Sequence, residues 1–219
     1  MHDRLQIEIE GLDLAALSQT VPFMPQLTGV LNTNLHLYTR DKVMGADGNI
    51  DIVELGYEQQ RIGTVELGLQ YSAGNNFTQH AVDFELRIDS IRRVVARGSF
   101  ATSEQNRDLM IDMDIPSLPL YLANAFMPAD LMKLTGDLTG NVYFRGTLDE
   151  PEINGKLAFE GAKADVVMLG TTFKLDTTAL PIRHGQIVFK RYRFIAPNNS
   201  NMVTVSYTHL RAHETVLDL

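Results

Sequence analysis

The chain has 219 residues, of which 44% are hydrophobic and 21% charged, enough apolar material for a folded core and too little charge for a disordered polyampholyte. Its formal charge is −8, and Lys and Arg are scattered except at Arg92-Arg93 and Lys190-Arg191-Tyr192-Arg193, which excludes a nucleic-acid partner because phosphate binding needs clustered cations. The absence of cysteine removes disulfide frameworks, thiolate metal sites and Cys nucleophiles, and no window approaches the ~18 apolar residues of a membrane helix.

At the N-terminus, Met1-His2-Asp3-Arg4-Leu5 has no basic segment followed by an apolar one, so any export signal or anchor is expected upstream, in a longer parent. Leu12-Asp13-Leu14-Ala15-Ala16-Leu17 suits a short helix and leads to Phe23-Met24-Pro25. Strand-like alternation then takes over. Over 27–38, Leu31, Thr33, Leu35 and Leu37 alternate with Asn32, Asn34 and His36, a period of two with one dry face. Asp47-Gly48 reads as a tight hairpin, followed by Val65, Leu67, Leu69 and Tyr71 against Glu66, Gly68 and Gln70 in the segment 62–71. Gly74-Asn75-Asn76 is the next turn signal, and over 80–89 Val82, Phe84, Leu86 and Ile88 alternate with Asp83, Glu85, Arg87 and Asp89. Leu109, Ile111, Met113 and Ile115 (107–115) keep Asp108, Asp112 and Asp114 outside. A second short helix fits Leu118 to Phe126, again followed by Phe-Met-Pro, as Phe126-Met127-Pro128. Strands 134–145, with Leu138, Val142 and Phe144, and 152–160, with Ile153, Leu157 and Phe159, flank a turn at Asp149-Glu150-Pro151.

From Val205 on, the sequence reads as something other than selected protein. Val205-Ser206-Tyr207-Thr208-His209-Leu210-Arg211-Ala212-His213-Glu214-Thr215 translates a transposase sequencing adapter codon by codon, and Asp218-Leu219 fits its continuation after an index. Residues 205–219 are therefore set aside as a non-native tail, and the chain is read as an artificially ended fragment. The spacing of His209 and His213, which on a helix would place two imidazoles as metal ligands, is then an accident.

The two helix signals, each with its Phe-Met-Pro, are followed by matching strands. Leu27-Thr28-Gly29-Val30-Leu31-Asn32-Thr33-Asn34-Leu35 aligns with Leu134-Thr135-Gly136-Asp137-Leu138-Thr139-Gly140-Asn141-Val142, an internal repeat about one hundred residues apart that predicts a structure extended by reiteration. The second copy continues through Val142-Tyr143-Phe144-Arg145-Gly146-Thr147-Leu148, Pro151-Glu152-Ile153-Asn154-Gly155-Lys156-Leu157, Ala162-Lys163-Ala164, Leu169-Gly170-Thr171-Thr172-Phe173 and Gly185-Gln186-Ile187-Val188-Phe189. In order and spacing this resembles the C-terminal region of the TamB (translocation and assembly module) family within the AsmA-like superfamily. The first copy departs from that pattern, with Thr39-Arg40-Asp41-Lys42 where Gly-Thr and then Pro are expected. The reading is thus of an AsmA/TamB-like β-repeat region over 1–130 and a truncated C-terminal-type repeat region over 131–204.

The resemblance implies an all-β fold, an elongated, repetitive antiparallel sheet curled into an apolar groove (a β-taco) with short linker helices, in a periplasmic protein whose parent is anchored in the inner membrane. It implies phospholipid as cargo moving between the membranes, a BamA-like outer-membrane barrel protein as a candidate partner, and for some members a role in assembling outer-membrane proteins. The groove would then be lined by Leu35, Leu67, Leu69, Phe84, Leu86, Ile88, Leu109, Ile111, Leu138, Val142, Phe144, Leu157 and Phe159. Periodicity by itself says only that many strands have one dry face with little helix to cover it, which a closed β-sandwich also satisfies. A cell-surface β-repeat adhesin is a further reading.

Other motifs have bland explanations. Asp112-Met113-Asp114 places both carboxylates on the wet face of a strand, where solvation explains them better than a metal. Asp47-Gly48-Asn49-Ile50-Asp51 lacks the full calcium-loop frame and its distal Glu. His36, His80 and His184 read as isolated, on outward or turn positions. No nucleophile elbow, phosphate loop or dinucleotide fingerprint occurs. An enzyme is not expected, nor a cofactor or metal, although a carboxylate pair brought together across strands would be invisible in sequence.

Overall fold

Alternation with a period of two decides nearly every element. The computed structural model describes residues 4–40, 43–58, 60–74, 77–128, 130–197 and 202–205. Its first half comprises β1 (Arg4–Asp13), the helix α1 (Leu14–Thr20), β2 (Leu27–Arg40), β3 (Val43–Tyr57), β4 (Gln60–Gly74), β5 (Gln79–Ile88), β6 (Ile91–Ala101) and β7 (Leu109–Pro119). A 3-10 helix over Leu120–Phe126 leads to β8 (Met132–Gly146) and β9 (Pro151–Val166), and a 3-10 turn over Val167–Leu169 leads to β10 (Thr171–Leu175). The chain then forms β11 (Leu180–Arg183), β12 (Gln186–Ile187), β13 (Tyr192–Ile195) and β14 (Met202–Val205).

Among the described residues these strands make one antiparallel sheet of 14 strands, in which β1 to β10 pair strictly in chain order and β13 and β14 follow β10. β9 is long enough to pair with β10 near its end and with β11 near its middle, and β12 pairs with β11. The sheet runs without interruption from β7 into β8, across residue 130. All six segments expected as strands lie in this one open sheet, so the closed-sandwich alternative falls. The tail from Ser206 onward lies outside the described residues, and only the backbone of Val205 enters the sheet, opposite Tyr192.

One turn expectation is overturned. Asp47-Gly48 is no hairpin: both residues sit mid-strand in β3, Asp47 opposite His36 and Gln70, Gly48 opposite Leu35 and Leu69. The alternation of Asp47, Asn49 and Asp51 with Gly48, Ile50 and Ile52 supplies a wet and a dry face, and pairing on both sides outweighs the local turn preference. Asp149-Glu150-Pro151 does turn the chain from β8 into β9.

The sheet curls, and its irregularities gather at one end of the strands. Register shifts fall between Ile9 and Leu12, Thr28 and Val30, Ile52 and Leu55, Leu86 and Arg87, Ile115 and Leu118, and Thr135 and Asp137. Each lies toward the end that carries α1 and the Leu120–Phe126 helix, which we term the helical rim. A bulge adds a residue to one strand only, so it bends that strand and increases the local twist. The internal repeat is built on two of them. Gly29 and Gly136, the third residues of the matched Leu-Thr-Gly copies, have φ of 117° and 92°, and a Cβ would meet the Val53 carbonyl at 2.8 Å or the Ala162 backbone at 2.5 Å.

Both short helices form where expected. Asp13 caps α1 by accepting from the backbone N–H of Ala15 at 2.8 Å. The 3-10 helix has no side-chain cap of that kind and is held by tertiary bonds instead. The Tyr121 hydroxyl donates to the Ile62 carbonyl of β4 at 2.8 Å, and Asn124 both accepts from the Leu134 N–H at 2.8 Å and donates to the Leu134 carbonyl at 3.0 Å. The helix therefore ties β4 to β8, strands four apart in the sheet.

Candidate functional site

Directly opposed residues in an antiparallel pair share a face, so the register shows which side chains line up across the sheet. One row runs Ile7, Leu35, Gly48, Leu69, Phe84, Ala96, Met113, Val142, Gly155, Ile182, through ten strands. A second runs Leu5, Leu37, Ala46, Tyr71, Val82, Gly98, Ile111, Phe144, Ile153. A third passes through Ile9, Thr33, Ile50, Leu67, Leu86 and Val94, and across β7 to β11 its counterpart is Ile115, Gly140, Leu157, Leu180. At about 4.8 Å per strand the first row spans roughly 40 Å.

All thirteen residues expected to line a groove stand on this one face. Leu35, Leu69, Phe84 and Val142 are in the first row, Ile111 and Phe144 in the second, and Leu67, Leu86 and Leu157 in the third. Ile88 lies opposite Val65, Leu109 opposite Phe100, and Leu138 opposite Phe159. The sequence reading missed the contributions of β3 and β6. Ile50 and Ile52 were hidden behind the apparent Asp47-Gly48 turn, and Val94, Ala96 and Phe100 behind the adjacent Val94-Val95, which breaks the alternation.

Exposure along the face is uneven. Over β1 to β4 it is open, with Leu5 56%, Ile7 42%, Leu37 41% and Leu69 38% exposed. Over β7 to β12 the face packs on itself: Ile115, Val142 and Ile182 are buried together, with Met113, Leu118, Phe144, Ile153, Leu157 and Ile187 against them. Phe159 meets the ring of Tyr192 edge-on at 6.1 Å, and Tyr192 also touches Phe189 and Phe194. This aromatic group is tied down by the Tyr192 hydroxyl, which donates to the Asp176 carbonyl at 2.5 Å, and by Arg193, which donates to the Asp176 carboxylate at 2.7 Å. Arg193 and then Thr178 hold the Asp176 carboxyl down at about 2, and burial, with the Asp176 charge, pushes Tyr192 up to about 12.

His80 is neither isolated nor outward. It stands on the apolar face, between Ala73 and Phe100, stacked on Phe100 at 4.5 Å. Its Nδ1 lies 2.7 Å from the Tyr71 hydroxyl and its Nε2 3.0 Å from the Thr102 hydroxyl, so both ring nitrogens have partners. Partners of this kind lie across strands and leave no trace in local spacing.

The opposite face is polar and internally paired. Arg97 donates to Asp83 at 2.7 Å, Arg87 to Glu85 at 2.6 Å, and Arg92 lies 3.2 Å from the same Glu85 carboxylate, whose pKa is lowered chiefly by the Arg87 hydrogen bond. Asp112 pairs with Arg145 and Asp114 accepts from Asn141, which accounts for the Asp-Met-Asp motif without a metal. Among the described residues no group of three or more His, Asp or Glu is placed to hold a metal ion.

A single-layer, curled antiparallel sheet with one continuous apolar face and one ion-paired face defines the class of β-groove proteins. The chain matches the family described as TamB, N-terminal domain, over residues 2–159, well over half its length. It belongs to the TamB family, and with it to the proteins of outer-membrane assembly and lipid transport in the broad sense, a family that is membrane-anchored and spans the periplasm. No curated protein and no solved structure matches the chain. The match takes in the whole first copy of the repeat and ends inside the second, and it is to the family's N-terminal domain, whereas the motif order over 134–194 resembles the C-terminal region. Units that reiterate one strand pattern carry similar signals wherever they stand in an array, so one copy does not fix its position. Among the described residues, no helix is long and apolar enough to cross a membrane.

Proposed function

We propose that this chain is a segment of a lipid conduit, in which the apolar face carries the acyl chains of phospholipid across the periplasm between inner and outer membrane. The observation that carries the reading is the first apolar row, continuous through ten strands and left uncovered over β1 to β4. Each CH2 gains about 0.8 kcal/mol on leaving water, so eight carbons laid on the row gain on the order of 6 kcal/mol before ordering costs. Affinity then scales with contact length and needs no catalytic group, so the segment acts as a binding surface and not as an enzyme.

The parent is anchored in the inner membrane, and a BamA-like barrel protein receives its far end. A second reading, a scaffold for outer-membrane protein assembly, is supported by membership of a family concerned with outer-membrane assembly. The test is extraction of the purified chain with organic solvent and analysis of what it releases. Phospholipid in stoichiometric amount, reduced by Leu69→Asp with Phe84→Asp in the folded protein, is the expected result. A folded chain free of lipid that captures unfolded barrel strands would favour the scaffold.

A further inference from the structure

The two long edges of the apolar face differ. Along β2, moving toward the helical rim, exposure falls from 41% at Leu37, through half-buried Leu35, to 9% at Thr33 and half-buried Leu31. Along β3 it falls from 40% at Met44 to half-buried Ile50 and Ile52, and along β4 from 38% at Leu69 to half-buried Leu67 and Val65. The helices account for the closed side. α1 buries Leu14 at 5% exposure and sets the Ser18 hydroxyl 3.3 Å from the Leu27 carbonyl of β2. The Leu120–Phe126 helix takes over from there, with the Phe126 ring 5.0 Å from that of Tyr57 at the end of β3 and Tyr121 bonded to β4. The last apolar row on this side is Leu12, Leu31, Ile52, Val65 and Ile88, and Ile88 is only 2% exposed.

The other edge, which we term the open rim, carries polar members of the same face. Its outermost row is Thr39, Met44, Ala73, His80, Phe100 and Leu109, and Tyr71 stands one row in with its hydroxyl on His80. Thr33, further in, spends its hydroxyl on the Asn49 carbonyl at 2.9 Å. The stack of His80 on Phe100 and the buried Ala73 beside it fill the rim at β4 and β5, so the opening is widest over β2 and β3.

We propose that a phospholipid held by this segment keeps its acyl tips toward the helical rim and its headgroup in water at the open rim. The proposal rests on the lipid reading of the apolar face and adds to it the orientation of the cargo. A phosphate pushed under the helical rim would lose its water without gaining a partner on the apolar row, whereas at the open rim it stays hydrated. Tyr71 and His80 suit that boundary because each has an apolar body and a polar tip. The dimensions agree: on β4 the stretch from Tyr71 to Val65 covers about 20 Å at ~3.3 Å per residue, and one leaflet's share of a bilayer core is about 15 Å. A tail that starts at the open rim therefore ends within the face. The same orientation holds at β2, β3 and β4, so a lipid moves in the direction of the strand order without turning over and without drawing its headgroup across the apolar face.

The sequence has no tryptophan, so a single introduced indole reports on its own surroundings. Met44→Trp and Ile52→Trp place it on β3 at the open and the helical rim, and Asn49→Trp places it on the polar face. Leu37→Trp and Leu31→Trp repeat the pair on β2, and circular dichroism checks the fold of each variant. Each 219-residue variant is loaded with phosphatidylcholine that carries a nitroxide either on the headgroup or near the end of one tail, and fluorescence quenching is read. The two rims lie about 26 Å apart along β3, so the headgroup nitroxide should quench the open-rim indoles about threefold or more over the helical-rim ones, and the tail nitroxide should do the reverse. Equal quenching at both rims, or the opposite order, would overturn the orientation while leaving lipid on the face. Quenching no stronger than in Asn49→Trp with either probe would sink the conduit reading itself.

Discussion

Val142 and Leu69 stand in the same cross-strand row, but the structure gives them opposite surroundings, and a carboxylate placed at each separates self-packed from open face. Val142 is 9% exposed and lies in the cluster with Ile115 and Ile182; Leu69 is 38% exposed. In Val142→Asp the buried apolar contact is lost, about 1.5 to 2 kcal/mol, and a carboxyl is left among apolar side chains without a partner, at least about 2 kcal/mol more. The sum is about 4 kcal/mol. In Leu69→Asp some 60% of a leucine's burial is lost, about 1 kcal/mol, and the carboxylate stays in water. With a denaturant slope of about 2 kcal/mol per M urea, the midpoint falls by roughly 2 M for Val142→Asp and 0.5 M for Leu69→Asp, followed by circular dichroism. Equal shifts at the two positions would refute the division of the face into covered and open halves.

Curvature is testable at Gly98, where a Cβ would meet the Met110 carbonyl oxygen at 2.0 Å and the Ile111 Cα at 2.6 Å. Gly98→Ala should part β6 from β7 and cost about 2 to 3 kcal/mol in thermal or urea unfolding, whereas Gly68→Ala, with nothing nearer than 4.0 Å, should be within about 0.5 kcal/mol of the parent. Asp176 titrates at about 2 in the folded chain against its ordinary 3.8, so its stabilisation is present above pH 4 and is lost as pH falls from 4 through 2. Arg193 is half exposed, which limits the effect to about 2 kcal/mol or less, and Asp176→Asn should flatten the stability profile across that window. On the adapter reading of 205–219, deleting that stretch should leave the unfolding temperature unchanged; a substantial loss would show that it is true protein sequence.

Where one strand face is apolar and its neighbours polar, the sequence alone identified the strand and the side that turns inward, as at Leu35, Phe84 and Val142. It also revealed the Leu-Thr-Gly repeat, whose third residue proves to be the bulge glycine of both copies. What stayed hidden depends on pairing. The turn preference of Asp47-Gly48 masked β3 because the ladders to β2 and β4 that override it are not local. The bulge between Leu86 and Arg87 disturbed the alternation at the start of β6. His80 looked solitary because Tyr71, Phe100 and Thr102 come from other parts of the chain. The covering of Val142, Leu157 and Phe159 was also unreadable, since Ile182, Ile187 and Tyr192 reach them from short strands with weak patterns.

The claim that the apolar face carries lipid is tested most directly by a photoreactive amino acid placed at Leu69 or Phe84 and, across the sheet, at Glu85 or Asp112, in protein produced in a diderm bacterium and irradiated in intact cells. Mass spectrometry then identifies the adducts. Phospholipid attached at Leu69 and Phe84, with none at Glu85 and Asp112, is what the conduit predicts, and equal labelling of the two faces, or protein adducts alone at the apolar positions, would contradict it.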